Sequence, residues 1–133
     1  MVRLHGRAIF RGKARGLALV SPTAIGFLGG VDAETGMVIE HGHPLYGQCI
    51  AGQVLVFPTG KGSTVGSYTL YRLSKRGLAP AAIINARSEA IVAVGAIIAG
   101  IPMVDRVDIT QIATGDVVEI DGEDVIIGGE ALN

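Results

Sequence analysis

A short glycine-rich segment carries the hydroxyl groups that are best placed for chemistry. Residues Gly60–Thr64 read Gly-Lys-Gly-Ser-Thr and lie between an apolar β-type run and a helix-compatible segment. Ser63 and Thr64 are therefore predicted to lie where a strand gives way to the N-terminus of a helix. Free backbone N–H groups and the positive end of the helix dipole meet at such a point, which suits an anionic substrate.

The same hydroxyls have a simpler interpretation as helix caps, which contribute about 1 kcal/mol. Capping alone does not require a lysine and several glycines nearby, because glycines permit the close approach of a ligand or of another backbone. Lys61 is a candidate to stabilise an adjacent alkoxide or to bind a substrate anion. The segment is not a nucleotide-binding phosphate loop, because Gly62 separates Lys61 from Ser63 and the required upstream glycine is missing.

Two histidines, His41 and His43, flank a glycine in a second loop. This spacing occurs in metal sites, but no aspartate or cysteine at a suitable distance completes a ligand set. A swivelling carrier or docking module is an alternative of another class, in which one histidine carries a phosphoryl group and Ser63 is replaceable. A polar loop with a turn-forming His-Pro pair is the simplest interpretation.

The composition limits the classes of function. The chain has 133 residues, enough for one domain (1–133) with a buried core. Its net charge is −1 and its aromatic content is 5%, so it lacks the basic patch and the stacking platform of a nucleic-acid-binding protein. Cys49 is the single cysteine, which excludes an internal disulfide and cannot by itself hold zinc or an iron–sulfur cluster.

Membrane association is not expected from the sequence. No apolar run approaches the roughly 20 residues that span a bilayer. The first residues lack the apolar centre of a signal peptide. We therefore expect a cytoplasmic protein with no membrane partner.

The elements that must position the glycine-rich segment follow from hydrophobic patterning. Apolar runs at Gln53–Phe57, Ala81–Ile84 and Pro102–Val104 alternate with helical segments at Ser67–Arg76 and at 88–99. This strand–helix–strand–helix–strand order predicts a parallel central sheet. Further strands are predicted in the flanking chain, at Arg3–Ile9, Ala14–Val20, Ile25–Phe27, Met37–Ile39, Gly115–Ile120 and Val125–Ile127. The prediction is an α/β fold with a β-rich shell around a small parallel βαβ core.

Charged residues also follow one of the predicted parallel strands. Arg87 and Glu89 come after Ala81–Ile84, at the carboxyl end where open parallel sheets tend to bind ligands. Ser88 and Glu89 are interpreted most simply as the start of the following helix.

Four ordered blocks form a pattern that is more specific than any single motif. They are Gly29–Gly36, His43–Gly47, Leu55–Ser63 and Val94–Pro102. Together they resemble the small, swivel-domain subunit of the aconitase X family over essentially the whole chain. The resemblance implies a swivelling β/β/α fold related to the fourth domain of aconitase. It also implies a heterodimer with a large aconitase X-type catalytic subunit, which holds a 4Fe-4S cluster through its own cysteines.

The resemblance further implies a dehydratase that is active only with the large subunit. The family's proposed proton acceptor, the serine of a Gly-x-Gly-Ser loop, matches Ser63, and the substrate-binding loop around it matches Gly60, Lys61, Gly62 and Thr64. The cluster iron would act as a Lewis acid on the departing hydroxyl while a Ser63 alkoxide removes a proton. A serine is a weak base, so the helix N-terminus and loop N–H groups must lower its pKa.

The family includes dehydratases of different small anionic hydroxy acids. We expect (R)-5-phosphomevalonate as substrate, converted to trans-anhydromevalonate 5-phosphate in the archaeal mevalonate pathway. The split-chain length and the Gly/Ala/Val-rich composition favour such an archaeal subunit. A cis-3-hydroxyproline dehydratase subunit is the alternative within the family.

Overall fold

The structure, a computed structural model, describes residues 1–128, which form eight strands and two α-helices. The strands are β1 (Val2–His5), β2 (Arg7–Phe10), β3 (Lys13–Val20), β4 (Val54–Phe57), β5 (Ala82–Asn85), β6 (Met103–Asp105), β7 (Val117–Asp121) and β8 (Asp124–Ile127). The helices are α1 (Gly66–Lys75) and α2 (Ala90–Ala99), and one turn of 3-10 helix covers Ile109–Gln111. All strands join one sheet in the order β1-β8-β7-β3-β4-β5-β6-β2.

The centre of the sheet is parallel, as the sequence predicted. Strand β4 pairs with β3 and β5, and β6 pairs with β5, all in parallel. The units β4–α1–β5 and β5–α2–β6 are therefore βαβ crossovers that place both helices on one face. Every residue of β4, β5 and β6 is buried, which explains their continuous apolar runs.

Alternating side chains of the parallel strands enter two separate cores. Leu55 and Ile83 point toward the helices, where they join Leu70 and Val92. Their strand neighbours, such as Val56, point to the other face and pack against the inward residues of β7 and β8. The molecule is thus an antiparallel β layer, a parallel β layer and a helical layer, because side chains on a strand alternate between its two faces.

The predicted strand Arg3–Ile9 is divided into β1 and β2 at Gly6. Strand β1 pairs with β8 and β2 pairs with β6, so the two halves lie at opposite ends of the sheet order. A Cβ at Gly6 would overlap the carbonyl oxygen of Asp105, which is why a glycine is needed there. Since one residue links the two end strands, the sheet curls until its ends nearly meet.

Two other predicted strands, Ile25–Phe27 and Met37–Ile39, do not form. They make only isolated bridges: Ile25 with Gly60, Met37 with Cys49 and Val38 with Val31. The segment is apolar for a different reason: residues such as Phe27 and Val38 cover the helix-side core from an irregular chain. Burial without a neighbouring strand produces the same sequence pattern as a strand.

The helices lie close together because small residues face each other. The hydroxyl of Ser67 donates to the carbonyl of Ile91 at 2.6 Å, and that of Ser74 donates to the carbonyl of Ala99 at 3.1 Å. A Cβ at Gly95 would lie 2.6 Å from Leu70 Cδ1.

Over residues 1–128, neither helix has the length and apolar character of a membrane span.

A buried carboxylate ties the edge strand β2 to the parallel sheet. Asp105 accepts from Arg7 Nε at 3.0 Å and Nη2 at 2.8 Å, and from the hydroxyl of Ser88 at 2.7 Å. Burial alone would raise the pKa of Asp105, but hydrogen bonds from Arg7 and Ser88 and the Arg7 charge outweigh it and lower the pKa. Stability from this carboxylate is therefore present above its unfolded-state pKa and is lost as the pH falls through the folded-state value.

We expect Asp105→Asn to lower the free energy of unfolding by about 2–3 kcal/mol at pH 7, because it breaks a buried, doubly bonded pair. The variant should also lose less stability than the unsubstituted protein on acidification below about pH 4. Urea denaturation at several pH values measures both effects. The control is Asp121→Asn, since Asp121 lies 3.9 Å from Lys13 on the surface and its side chain is half-exposed. Equal effects of the two substitutions would contradict the assignment.

Candidate functional site

The candidate loop, Pro58–Thr64, leaves β4 at the edge where β3, β5 and β6 also have their carboxyl ends. The loop is hydrogen-bonded on one side to the segment that follows β3. Ile25 N donates to Thr59 O at 3.2 Å, and Lys61 N donates to Ile25 O at 3.1 Å. The sequence prediction that this loop connects a parallel strand to a helix is confirmed.

Two glycines shape the loop for reasons that lie within the chain itself. A Cβ at Gly60 would lie 2.5 Å from both Glu89 Oε1 and Val92 Cγ2, so the loop backbone rests directly against the start of α2. Gly62 has φ +96°, in the left-handed region that other residues rarely adopt. Both glycines are therefore required for the loop conformation, whatever ligand the loop binds.

Ser63 lies just before α1, with an exposed side chain. Its Oγ accepts from the N–H of Val65 at 3.2 Å, and its carbonyl accepts from the N–H of Gly66 at 2.9 Å. Val65 occupies the N-cap position itself and makes no side-chain cap. The hydroxyl thus accepts from one backbone amide, which agrees in part with the capping interpretation. Its own proton remains available to another partner.

The remaining predicted residues lie on either side of this serine. Thr64 is exposed and borders a groove between the two helices. Lys61 Nζ is 3.0 Å from Glu40 Oε2 and its side chain is about half-exposed, so the glutamate offsets its charge. The structure brings Gly60, Lys61, Gly62, Ser63 and Thr64 together in one loop at the carboxyl edge of the parallel sheet.

The two histidines have different environments. His43 is buried, its Nδ1 accepts from Leu45 N at 3.0 Å, and its Nε2 is 3.1 Å from the carbonyl of Ala24. Both ring nitrogens therefore lie within hydrogen-bond distance of backbone groups. His41 is exposed and stacks on Tyr46 with ring centroids 5.1 Å apart. His43 thus has a structural role, holding the segment beside the candidate loop.

The described residues offer no place for a metal cluster. Within 1–128, no group of three or more His, Cys, Asp or Glu side chains lies close enough to hold a metal ion. Cys49 is half-buried, and its Sγ is 3.7 Å from the carbonyl of Thr35. The donors within residues 1–128 therefore do not fit an iron–sulfur cluster.

An apolar groove of about 350 Å³ runs from the candidate loop between the two helices. Its lining residues are Thr64, Ser67, Tyr68, Ala90, Ile91, Val94 and Ile98. The outer side of α2 is also apolar, since Val94 and Ile97 are each 49% exposed and the helix has no charged residue. A helix that is apolar all round is usually covered by other protein.

Sequence patterns missed part of the polar edge around the loop. Asn85 ends β5 and is fully buried; its Nδ2 donates to Phe57 O at 3.0 Å, while its Oδ1 has no partner within the described residues. Arg106 follows β6 with φ +58°. The polar end of an apolar strand could have indicated Asn85, whereas no sequence signal indicates the backbone conformation of Arg106.

The start of α2 was predicted, but Glu89 alone caps it, accepting from Ile91 N and Val92 N.

Comparisons with known proteins identify similar chains. The family model described as the aconitase X swivel domain matches residues 3–128. The phosphomevalonate dehydratase small subunit of Methanocella arvoryzae is 58% identical over 129 residues, covering 95% of this chain and 98% of that protein. The phosphomevalonate dehydratase small subunit of Thermococcus sibiricus is 53% identical over 122 residues, covering 92% of this chain and 94% of that protein.

A solved structure has the same fold. The crystal structure of Thermococcus kodakaraensis aconitase X in its holo-form superposes with a TM-score of 0.94 at 52% sequence identity. The match covers 96% of this chain and 98% of that chain. The predicted swivelling β/β/α fold is confirmed.

The contact between Gly60 and α2 gives a prediction about loop stability. We expect Gly60→Ala to lower the free energy of unfolding by about 1–3 kcal/mol, because the added methyl overlaps the capping carboxylate and Val92. Gly66→Ala is the matched control: its methyl would lie 3.3 Å from Ile91 Cγ2, a much looser contact, and alanine favours the helix. Urea denaturation of both variants measures the difference. A Gly60→Ala variant as stable as Gly66→Ala would show that the contact is not tight.

Proposed function

The chain belongs to the aconitase X swivel-domain family, and we propose that it is the small subunit of a heterodimeric hydro-lyase, active only with its large subunit. The proposed reaction is the dehydration of (R)-5-phosphomevalonate to trans-anhydromevalonate 5-phosphate. The observation that carries this proposal is the match to phosphomevalonate dehydratase small subunits at 58% and 53% identity over nearly their whole length. The exposed serine loop at the carboxyl edge of the parallel sheet supports it.

Membership of the family implies an iron–sulfur enzyme, and the names of the relatives imply a large-subunit partner. Because the described residues of this chain do not fit a cluster, we propose that the large subunit binds it. The contribution of the small subunit is then a proton acceptor and a loop that orients the substrate.

Ser63 is the proposed proton acceptor. In the proposed step Ser63, as an alkoxide, takes a proton from the carbon beside the one that loses the hydroxyl. The C–H electron pair forms the double bond as the C–O bond breaks, and the hydroxide departs to the Lewis acid that the cluster of the large subunit would supply. The N–H of Val65 already donates to Oγ, which favours negative charge on that oxygen. The N-terminus of α1 is directly adjacent, and its dipole acts in the same direction.

The substrate-binding part of the proposal concerns the rest of the loop. The proposed substrate contacts are Gly60, Lys61, Gly62 and Thr64. Thr64 is exposed beside Ser63 and has a hydroxyl to offer. The tightly packed Gly60 and the left-handed Gly62 allow one defined loop shape, which lowers the entropy cost of orienting a substrate.

The large subunit is the proposed occupant of the apolar groove. The groove begins at Thr64, next to Ser63, so a partner that reaches the serine must pass over it. Covering the groove would bury the exposed side of α2 and exclude water from the reacting groups.

The proton-acceptor role is tested with the assembled enzyme. We expect Ser63→Ala to lower turnover of 5-phosphomevalonate by about 100-fold or more, with little change in thermal stability, because a general base of this kind contributes that much. Ser74→Ala is the control: it removes a hydroxyl that bonds Ala99 O at the far end of α1, so it should cost stability and leave turnover unchanged. Turnover is measured with this chain co-expressed anaerobically with its large subunit.

Near-normal turnover in Ser63→Ala would refute the serine assignment and leave the dehydratase assignment in place. Dehydration of cis-3-hydroxyproline but not of 5-phosphomevalonate by the intact pair would instead refute the proposed substrate. Activity of either subunit alone would refute the requirement for both.

The docking proposal gives a separate prediction. We expect Val94→Glu to weaken association with the large subunit by about tenfold or more, since it places an unpaired charge in an apolar interface. Val2→Glu is the control, because Val2 is 44% exposed on β1, which pairs with β8 and not with the helices. Association is measured by titrating one purified subunit with the other. Equal affinity for the two variants would place the interface elsewhere.

A further inference from the structure

Two arginines at the carboxyl edge of the parallel sheet have side chains that make no polar contact within the described residues. Arg87 follows β5 and Arg106 follows β6, and both are exposed. Within residues 1–128, neither guanidinium makes a hydrogen bond or an ion pair. Exposed arginine side chains are common, so this pair is informative only in comparison with the ion pairs and hydrogen bonds of the other charged side chains.

Most of the other cations have roles that the structure shows. Four of them pair with carboxylates, namely Arg3, Arg7, Arg11 and Lys13. Lys61 pairs with Glu40. The cations of α1 are Arg72 and Lys75, in its last turn, and Arg76, at its C-cap, where they complement the helix dipole at the opposite edge of the sheet.

The carboxylates near the two arginines are already engaged. Asp105 is bound by Arg7 and Ser88. Glu89 accepts from two amides of α2, and Asp108 accepts from Thr110. Among the described residues, no carboxylate forms an ion pair with Arg87 or Arg106, so both exposed guanidinium groups are open to an anionic ligand.

Both arginines are near the candidate loop. Arg87 N donates to the carbonyl of Pro58, the first loop residue, at 3.0 Å. Arg106 N donates to the carbonyl of Ala86 at 3.1 Å. The segments that follow β4, β5 and β6 are therefore adjacent, with neighbouring backbones about 5 Å apart as in paired strands. At the same edge, the buried Oδ1 of Asn85 has no partner within the described residues, and a ligand hydroxyl or a water would satisfy it.

The backbone of Arg106 is held in an unfavourable conformation. Its φ of +58° is in the left-handed region, where it is the one non-glycine residue among the described residues. A non-glycine side chain is disfavoured there, and glycine would adopt the same conformation without that penalty. An arginine at this position indicates that its side chain serves a purpose other than folding.

We propose that Arg87 and Arg106 form a subsite that binds the phosphate group of the substrate. Identifying that phosphate as part of 5-phosphomevalonate rests on the proposed function, whereas the anion subsite stands on the geometry of this chain. A phosphate monoester is dianionic and offers several acceptor oxygens, and the guanidinium fork matches it with two parallel hydrogen bonds. The two arginines would fix the phosphate while the reacting carbons lie at Ser63.

The test uses the assembled enzyme and the variants Arg87→Gln, Arg106→Gln and Arg76→Gln. We expect each of the first two to raise KM for 5-phosphomevalonate by about tenfold to a hundredfold, with a much smaller change in kcat. Inorganic phosphate should inhibit the unsubstituted enzyme competitively, and its inhibition constant should rise in parallel. Arg76→Gln, at the opposite edge, should change neither constant.

Two further variants separate binding from folding. Arg106→Gly should keep or raise the melting temperature, because glycine adopts φ +58° without strain, and yet it should raise KM as Arg106→Gln does. Arg87→Lys keeps the charge but loses the fork, so its KM should lie between those of the unsubstituted enzyme and Arg87→Gln. A structural role for Arg106 would instead lower the melting temperature in both of its variants.

The outcomes distinguish this proposal from the proposed function. Unchanged KM and phosphate inhibition in both Gln variants would overturn the subsite. Inhibition by acetate that is as strong as that by phosphate and equally sensitive to the variants would also overturn it, since the site would then recognise a carboxylate. If the unsubstituted enzyme does not dehydrate 5-phosphomevalonate, the proposed function fails. Direct calorimetric titration of the assembled protein and its variants with inorganic phosphate then decides the subsite alone.

Discussion

The parallel pairing of β3, β4, β5 and β6 is the constraint on which the rest of the structure depends. Parallel neighbours require crossovers, and right-handed crossovers place both helices on one face with their N-termini at one edge. The connecting loops after the strands collect at the same edge. Because β4, β5 and β6 are covered on both faces, the polar side chains of this part of the chain lie at the ends of these strands or beyond them. The serine loop, the Asp105 pair and the exposed arginines therefore share one small region.

That region is polar but incomplete as it stands. The loop is tightly held from within the chain, by Ile25 on one side and by the capped start of α2 on the other. What faces outward is an exposed serine, an apolar groove and two arginines without partners in residues 1–128. A rigid loop beside an uncovered apolar surface is typical of half an active site. The proposed large subunit would cover this apolar surface beside the rigid loop.

Local sequence patterns determined much of this molecule. Both βαβ units, the end of α2 at Gly100 and the Asp-Gly turn between β7 and β8 are where their patterns predicted them. The glycine-rich loop was also found from sequence, since it lies between a strand and a helix that both have clear periodicity. These features depend on residues close together in the chain, and local propensity and side-chain period act at that range. The family blocks identified the layered fold.

Contacts between distant residues decided what the sequence could not. Arg7 and Asp105 are 98 positions apart, and no pattern indicates that they pair. The apolar run Ile25–Phe27 covers a core instead of forming a strand, and the ring of His43 is buried against the backbone of Ala24 and Leu45. Each outcome depends on which surfaces meet after the sheet has curled. The sequence by itself determined both βαβ units and the serine loop, whereas tertiary packing decided which other apolar runs pair as strands and which polar groups, like Arg106, remain available.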